Sequence, residues 1–384
     1  MSNNVHILTA RNVFGTLLGL IALVLLLLAP KAPVNVDEQL HYPHAKKVVN
    51  YYFTFGKDKS GLNTPQTNLK YYGQSVDNFT ALLNRIFNVK DEFLVRHLTG
   101  AAMFLLLLFF SGMITRELTG SYYAATIAVL AIVFMPRLFG QAFGDLKDVP
   151  FSTGYAAGIL MIIRFLKEMP EPRWKTAILL GISVAFTVSV RAGGFILFAY
   201  LGLFMVIYWS WKPFALKQIV STKPVFVRLL GQGMVILIIG YFAGLLFWPF
   251  ALQNVFVHPL ESLQVMEHYK VSIRQIFEGD FTWSTLLPWY YLPKWLLLST
   301  PVFIFIGILV FASFYIYDLI KQKITQQLFY ESVTLFAFLF PFTYVIAINS
   351  NLYSGIRQML FILPPLAILA SVGIFRLLRS GVNK

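Results

Sequence analysis

Apolar residues in this chain fall into long runs separated by short polar connections, and ten of the runs read as membrane-crossing helices. They lie at about 12–30, 95–115, 121–136, 150–166 and 176–190, then a sixth ending near Trp211, then about 230–250, 295–317, 332–348 and 358–375. Two longer polar stretches break the rhythm, 31–94 and 251–293. Within the first, Ala45, Val48, Val49 and Tyr52 recur at helical spacing, and so do Leu69, Tyr72, Val76, Phe79, Leu83 and Ile86. Both patterns predict amphipathic helices lying along the membrane surface, joined by the turn-rich Gly56–Gly61 linker. The second stretch closes on Leu287-Pro288-Trp289-Tyr290-Tyr291-Leu292-Pro293-Lys294, a cluster suited to the bilayer interface. The predicted fold is an all-α integral membrane bundle of about ten spans, with residues 1–384 as one transmembrane domain.

Composition excludes a soluble enzyme: 57% of the 384 residues are hydrophobic and 12% are charged. The run at 12–30 is longer than a signal-peptide core and has no small-x-small cleavage site after it, so it is read as a retained span. With no cysteine there are no disulfides, thiolate metal ligands or cysteine nucleophiles. The net charge of +14 needs no nucleic-acid partner, because the basic residues sort by membrane side. Lys212, Lys217, Lys223 and Arg228 share one connection without an acid, which predicts that this connection and both termini are cytoplasmic in a plasma (inner) membrane.

That orientation puts the unusual polar groups together on the external, periplasmic face. Asp37 and Glu38 follow the first span directly, a position where charge is costly without a use. Arg96, Asp145, Lys147, Asp148, Arg191 and Arg357 join them from the ends of other spans, with His41 and Tyr42 beside the acid pair. Each has an ordinary reading as well: Asp148 before Pro150 is a good helix start, and each arginine can snorkel to headgroups. Together the acids supply a general base and the cations a phosphate-binding fork. His41 and His44 share a helical face with Glu38, and His97, His258 and His268 also fall outside. No recognisable ligand motif accompanies them, so no metal site is assigned and activity is expected to survive chelation. No Walker loop, GxGxxG fingerprint or nucleophilic-serine motif is present.

The acidic pair after span 1, Arg96 at the head of span 2, Lys147-Asp148-Val149-Pro150 before span 4 and the Pro288–Pro293 cluster resemble the GT-C membrane glycosyltransferases. More narrowly the chain resembles bacterial members of the protein O-mannosyltransferase (dolichyl-phosphate-mannose-protein mannosyltransferase)-like family, over about residues 12–375. The resemblance implies inverting transfer of a sugar from a polyprenyl-phosphate carrier to an acceptor outside the membrane, without a required cofactor. It casts Asp37 as general base, Glu38 as the neighbour that shapes the site and Arg96 as a ligand of the carrier phosphate. Larger family members carry extra domains or spans that this chain lacks, which leaves the acceptor open. A polyprenyl-lipid flippase or transporter is the rival reading, but it would place charge near mid-span, where these runs carry almost none. A non-catalytic assembly subunit would leave the paired acids unexplained.

Overall fold

The computed structural model describes residues 9–65, 67–267, 271–321 and 325–382. The chain is a polytopic helical membrane protein. Among the described residues, eight helices or joined helices are long and apolar enough to cross a bilayer, and two shorter apolar helices complete the ten expected positions. In order the main helices are α1 Ala10–Leu28, α2 Val36–Phe53, α3 Ser75–Phe87, α4 Glu92–Thr119, α5 Tyr122–Val133, α6 Asp148–Lys167, α7 Trp174–Val190 and α8 Ile196–Trp211. There follow α9 Pro213–Ser221, α10 Lys223–Ile238, α11 His258–Glu267, α12 Tyr291–Ser299, α13 Val302–Ile320, α14 Gln326–Ala347 and α15 Leu363–Val382.

α6 is the centre of the bundle. Its apolar window is 94% buried, as expected of a helix that is apolar all round, and it packs against α4, α7, α8 and α14. Its first turn therefore brings Asp148 into the middle of one end of the bundle. The 3₁₀ turn Arg357–Ile362, which leads into α15, packs on the same helix and carries Arg357 to the same place.

Four elements differ from the sequence expectation, each for a local reason. Span 7 begins at Lys223, because Pro224 starts a helix well at its first turn, and it continues through a wider turn at Ile239–Ala243. The run expected at 295–317 is split into α12 and α13 at Thr300-Pro301, since proline restricts its predecessor to extended backbone and removes an amide donor. The second surface helix starts at Ser75 rather than Leu69. Gln74 is left-handed (φ +50°), and a Cβ on Gly73 would stand 2.0 Å from the Ser189 carbonyl oxygen, so the chain here is pressed against the end of α7. Finally, an antiparallel hairpin, β1 Arg274–Phe277 with β2 Asp280–Trp283, stands in the second polar stretch. Glu278 and Gly279, both at positive φ, make its two-residue turn.

The two ends of the bundle carry separate polar systems. One end gathers the stretches after α1, before α6, before α8 and before α15. At the other, Glu117 pairs with Arg164 at 3.0 Å and Lys167 at 2.9 Å, and Arg376 pairs with Asp318 at 3.2 Å and Glu331 at 2.7 Å. The arrangement predicts that the 54–60 linker and α9 lie on opposite sides of the membrane. Lys59→Cys and Lys217→Cys, introduced singly into this cysteine-free chain, should react with a membrane-impermeant maleimide from opposite sides of oriented vesicles. Labelling of both from one side would contradict the span order.

Candidate active site

The first turn of α2 sets the site. Asn35 caps the helix: its side chain accepts from the Glu38 amide at 2.9 Å, and the Glu38 carboxylate accepts from the Asn35 amide at 3.0 Å, a reciprocal capping box. Because helix neighbours lie four residues apart, Asp37 and His41 stack on one face while Glu38, Tyr42, Ala45 and Val49 turn to the packed face. The two members of the acid pair therefore end in different environments.

Glu38 is buried. Its carboxylate lies 3.4 Å from Arg96 Nε and 3.2 Å from His97 Nε2, and Arg96 also pairs with the buried Asp77 at 2.7 Å. His97 Nδ1 lies 3.2 Å from the Ala29 carbonyl oxygen, which ties in the end of α1. Tyr42 is buried too: its ring lies under the Arg96 guanidinium at 4.9 Å, and its hydroxyl accepts from Asn84 at 2.7 Å. Burial pushes the Tyr42 phenol up to about 12 and raises the Asp77 carboxyl, despite Arg96. Arg96, which the resemblance casts as a phosphate ligand, and Tyr42, a neighbour of the acid pair, belong to a buried pillar joining α1, α2, α3 and α4. Arg96 has 1% of its side chain exposed and both charged partners in place.

Asp37 faces the open side with 32% of its side chain exposed. Lys147 Nζ lies 3.2 Å and Arg357 2.6 Å from its Oδ2. Burial alone would raise this carboxyl, but Lys147 and Arg357 outweigh it and hold Asp37 below its usual range. Asp148 pairs with Arg191 and lies 3.5 Å from Arg357 Nε. Asp145 caps the hinge, accepting from the Lys147 amide at 3.1 Å and the Asp148 amide at 2.7 Å. Burial, with Asp148 alongside, pushes the Asp145 carboxyl up to about 8, which favours its protonated form near neutral pH. Lys147, Arg191 and Arg357 then face two carboxylates, Asp37 and Asp148, which leaves a surplus positive charge at a partly open cleft. The arrangement suits an anion with several oxygens.

His41 completes this face, its Nε2 3.4 Å from Lys147 Nζ. Burial and Lys147 hold the imidazole neutral, and burial lowers His44 to about 4. Among the described residues no three His, Asp or Glu side chains gather as a metal ion would need, Glu38 being turned away from His41 and His44. His258 stacks on Phe250 and bonds its carbonyl oxygen, whereas His268 lies outside the described residues. Sequence reasoning did not mark Tyr72, whose ring lies 5.6 Å from Lys147 Nζ and 5.9 Å from the Arg191 guanidinium, nor Tyr353, which shares their surroundings. Tyr72 directly precedes Gly73, and that glycine, which the structure presses against α7, was the signal available.

The helical bundle shares its fold with a solved membrane oligosaccharyltransferase. Over 97% of its length the chain matches the structure of the archaeal oligosaccharyltransferase AglB from Archaeoglobus fulgidus in complex with an inhibitory peptide and a dolichol-phosphate, with a TM-score of 0.61 at 13% identity. It covers 52% of that protein, so it spans about half its length. Residues 69–258 match the family described as dolichyl-phosphate-mannose-protein mannosyltransferase. The matched segment includes Arg96, Asp145, Lys147, Asp148 and Arg191, while Asp37 and Arg357 fall outside it. No curated protein matches the chain. The resemblance read from the sequence is borne out by both findings.

Two predictions follow from the charge geometry. Arg96→Ala leaves Glu38 and Asp77 buried without their cation and should cost about 3–5 kcal/mol, read as a fall in the thermal unfolding midpoint of the detergent-solubilised protein. For Asp145 the folded pKa of about 8 lies above an unfolded value near 3.9, so the folded state holds a proton that the unfolded chain has released. The contribution of Asp145 to stability should fall as pH rises from about 4 to 8 and level off above that, against the opposite contribution of His41 and His44 below about pH 6.5. Asp145→Asn should remove that contribution, read as a less negative dependence of the unfolding midpoint on pH than in the wild type.

Proposed function

We propose that this protein is an inverting glycosyltransferase that moves a sugar from a polyprenyl-phosphate carrier to an acceptor hydroxyl on the external, periplasmic face of the membrane. The observation that carries the reading is a partly exposed carboxylate, Asp37, paired with Lys147 and Arg357 at one mouth of the helical bundle, with Arg191 held close by on Asp148. The family match over residues 69–258 supports glycosyl transfer, and the structural relative's bound dolichol-phosphate supports a polyprenyl-phosphate donor.

In this reading Asp37 takes the proton of the acceptor hydroxyl as its oxygen bonds to the anomeric carbon. The bond from that carbon to the phosphate oxygen breaks, and its electron pair leaves with the polyprenyl phosphate. One displacement inverts the anomeric centre. Arg191, Arg357 and Lys147 bind the carrier phosphate and stabilise the charge that develops on it. As phosphate draws Lys147 and Arg357 away from Asp37, the carboxylate loses the partners that depress its pKa and becomes a stronger base. Glu38 acts through position alone, and Arg96 through Glu38. The side assignment rests on the basic connection at Lys212–Arg228.

The test is a pair of measurements on purified, folded variants: binding of a labelled polyprenyl-phosphate sugar, and mass detection of products from a panel of acceptors. Asp37→Asn should lower turnover by about 10²- to 10⁴-fold while donor binding stays close to wild type. Arg191→Ala, which removes a cation not bonded to Asp37, should weaken donor binding by roughly 10- to 100-fold. Near-normal transfer by Asp37→Asn overturns its assignment as base. Unchanged donor binding in Arg191→Ala overturns the phosphate site.

A further inference from the structure

The bundle end opposite Asp37 holds a second charged cavity, of about 400 Å³. Glu117 at the end of α4, Arg164 and Lys167 in the last turn of α6, and Glu168, Arg173 and Lys175 around the following connection line it. Four cations there face two carboxylates. Glu117 is shared by Arg164 and Lys167, and Arg173 closes on Glu168, Nε to Oε1 at 2.7 Å. Among the described residues Lys175 makes no ion pair, so the cavity keeps a net positive charge with one ammonium group uncommitted.

The wall of this cavity says what kind of anion fits. Leu179, one turn along α7 from Lys175, is part of the lining and is exposed, and Trp174, Ile178 and Ile182 are exposed on the same helix. An apolar stripe therefore runs from the rim of a cationic cavity down a span, with an interfacial tryptophan at its head. A soluble anion needs only the cations. A phospholipid also needs a hydrophobic rail that begins at headgroup depth, and this face has both.

We propose that the cavity is a binding site for an anionic phospholipid, its phosphate headgroup among Lys175, Arg164 and Arg173 and an acyl chain along Leu179 and Ile182. The site is separate from the Asp37 cleft and does not depend on the proposed transfer reaction, and in a nanodisc it is open to lipid whichever way the chain is oriented.

The experiment uses the full chain in nanodiscs of phosphatidylcholine with increasing phosphatidylglycerol, with retained lipid counted by native mass spectrometry after release into mild detergent. Wild type should retain phosphatidylglycerol over phosphatidylcholine. Lys175→Ala should cut that retention by roughly fivefold, Lys175→Arg should preserve it, and Lys217→Ala, a lysine at the same end outside the cavity, should leave it unchanged. Equal retention of the two lipids overturns the proposal, as does an equal loss with Lys217→Ala, which would mean diffuse surface charge. Complete displacement of phosphatidylglycerol by millimolar glycerol phosphate would also overturn it, in favour of a soluble phosphate ligand.

Discussion

A buried guanidinium holds this end of the bundle together. Glu38 and Asp77 are both out of water, and two carboxylates so placed need a shared cation. Arg96 provides it from the first turns of α4, and His97 carries the connection on to the end of α1. The capping box lies at the edge of the same network, so the direction in which α2 leaves the membrane is fixed by the group that satisfies its buried acid. Asp37 projects from that helix, and its position is inherited from a charge balance in which it takes no part.

The neighbouring cleft works on the opposite principle. Its charges run from buried, Lys147 and Asp148, to partly exposed, Asp37, Arg191 and Arg357, and they are not balanced. α6, central and almost wholly enclosed, delivers Asp148, while the hinge before it delivers Lys147 and Asp145, whose carboxyl burial raises. The approach to α15 is held by Arg137 on the Ser354 carbonyl and by Tyr291, which accepts from the Gly355 amide at 2.9 Å and donates to Gln275 at 2.9 Å. The hairpin that contributes Gln275 thus helps support the loop that presents Arg357.

Much of this was legible in the chain, and the limits are physical. Run length and spacing located the ten apolar helices, because a bilayer imposes one length on every span. Membrane side brought the polar residues to one end, but side carries no information about facing inward or outward. Arg96 and Arg191 have the same sequence context, a cation at a span end, and only the unforeseen partners Asp77 and Glu38 separate them. Tyr42 and His41 likewise divide by one position on a helix whose packed face depends on α3. The hairpin was missed because strands of four residues are too short for alternation to outweigh a general reading as loop. The left-handed Gln74 that shortens α3 has no side-chain signature.

Gly144 shows what this construction implies for the cleft. A Cβ there would lie 2.4 Å from the Asn35 amide group and 2.7 Å from the Glu38 carboxylate, so the hinge before α6 is seated directly against the capping box of α2. The carboxylate of one segment and the ammonium of the other are therefore set by the hinge backbone resting on the Asn35 and Glu38 side chains, not only by two long side chains finding each other. Little solvent or backbone needs to rearrange when charge shifts across such a pair, and the reorganisation energy of the cleft is lowered before any ligand enters it.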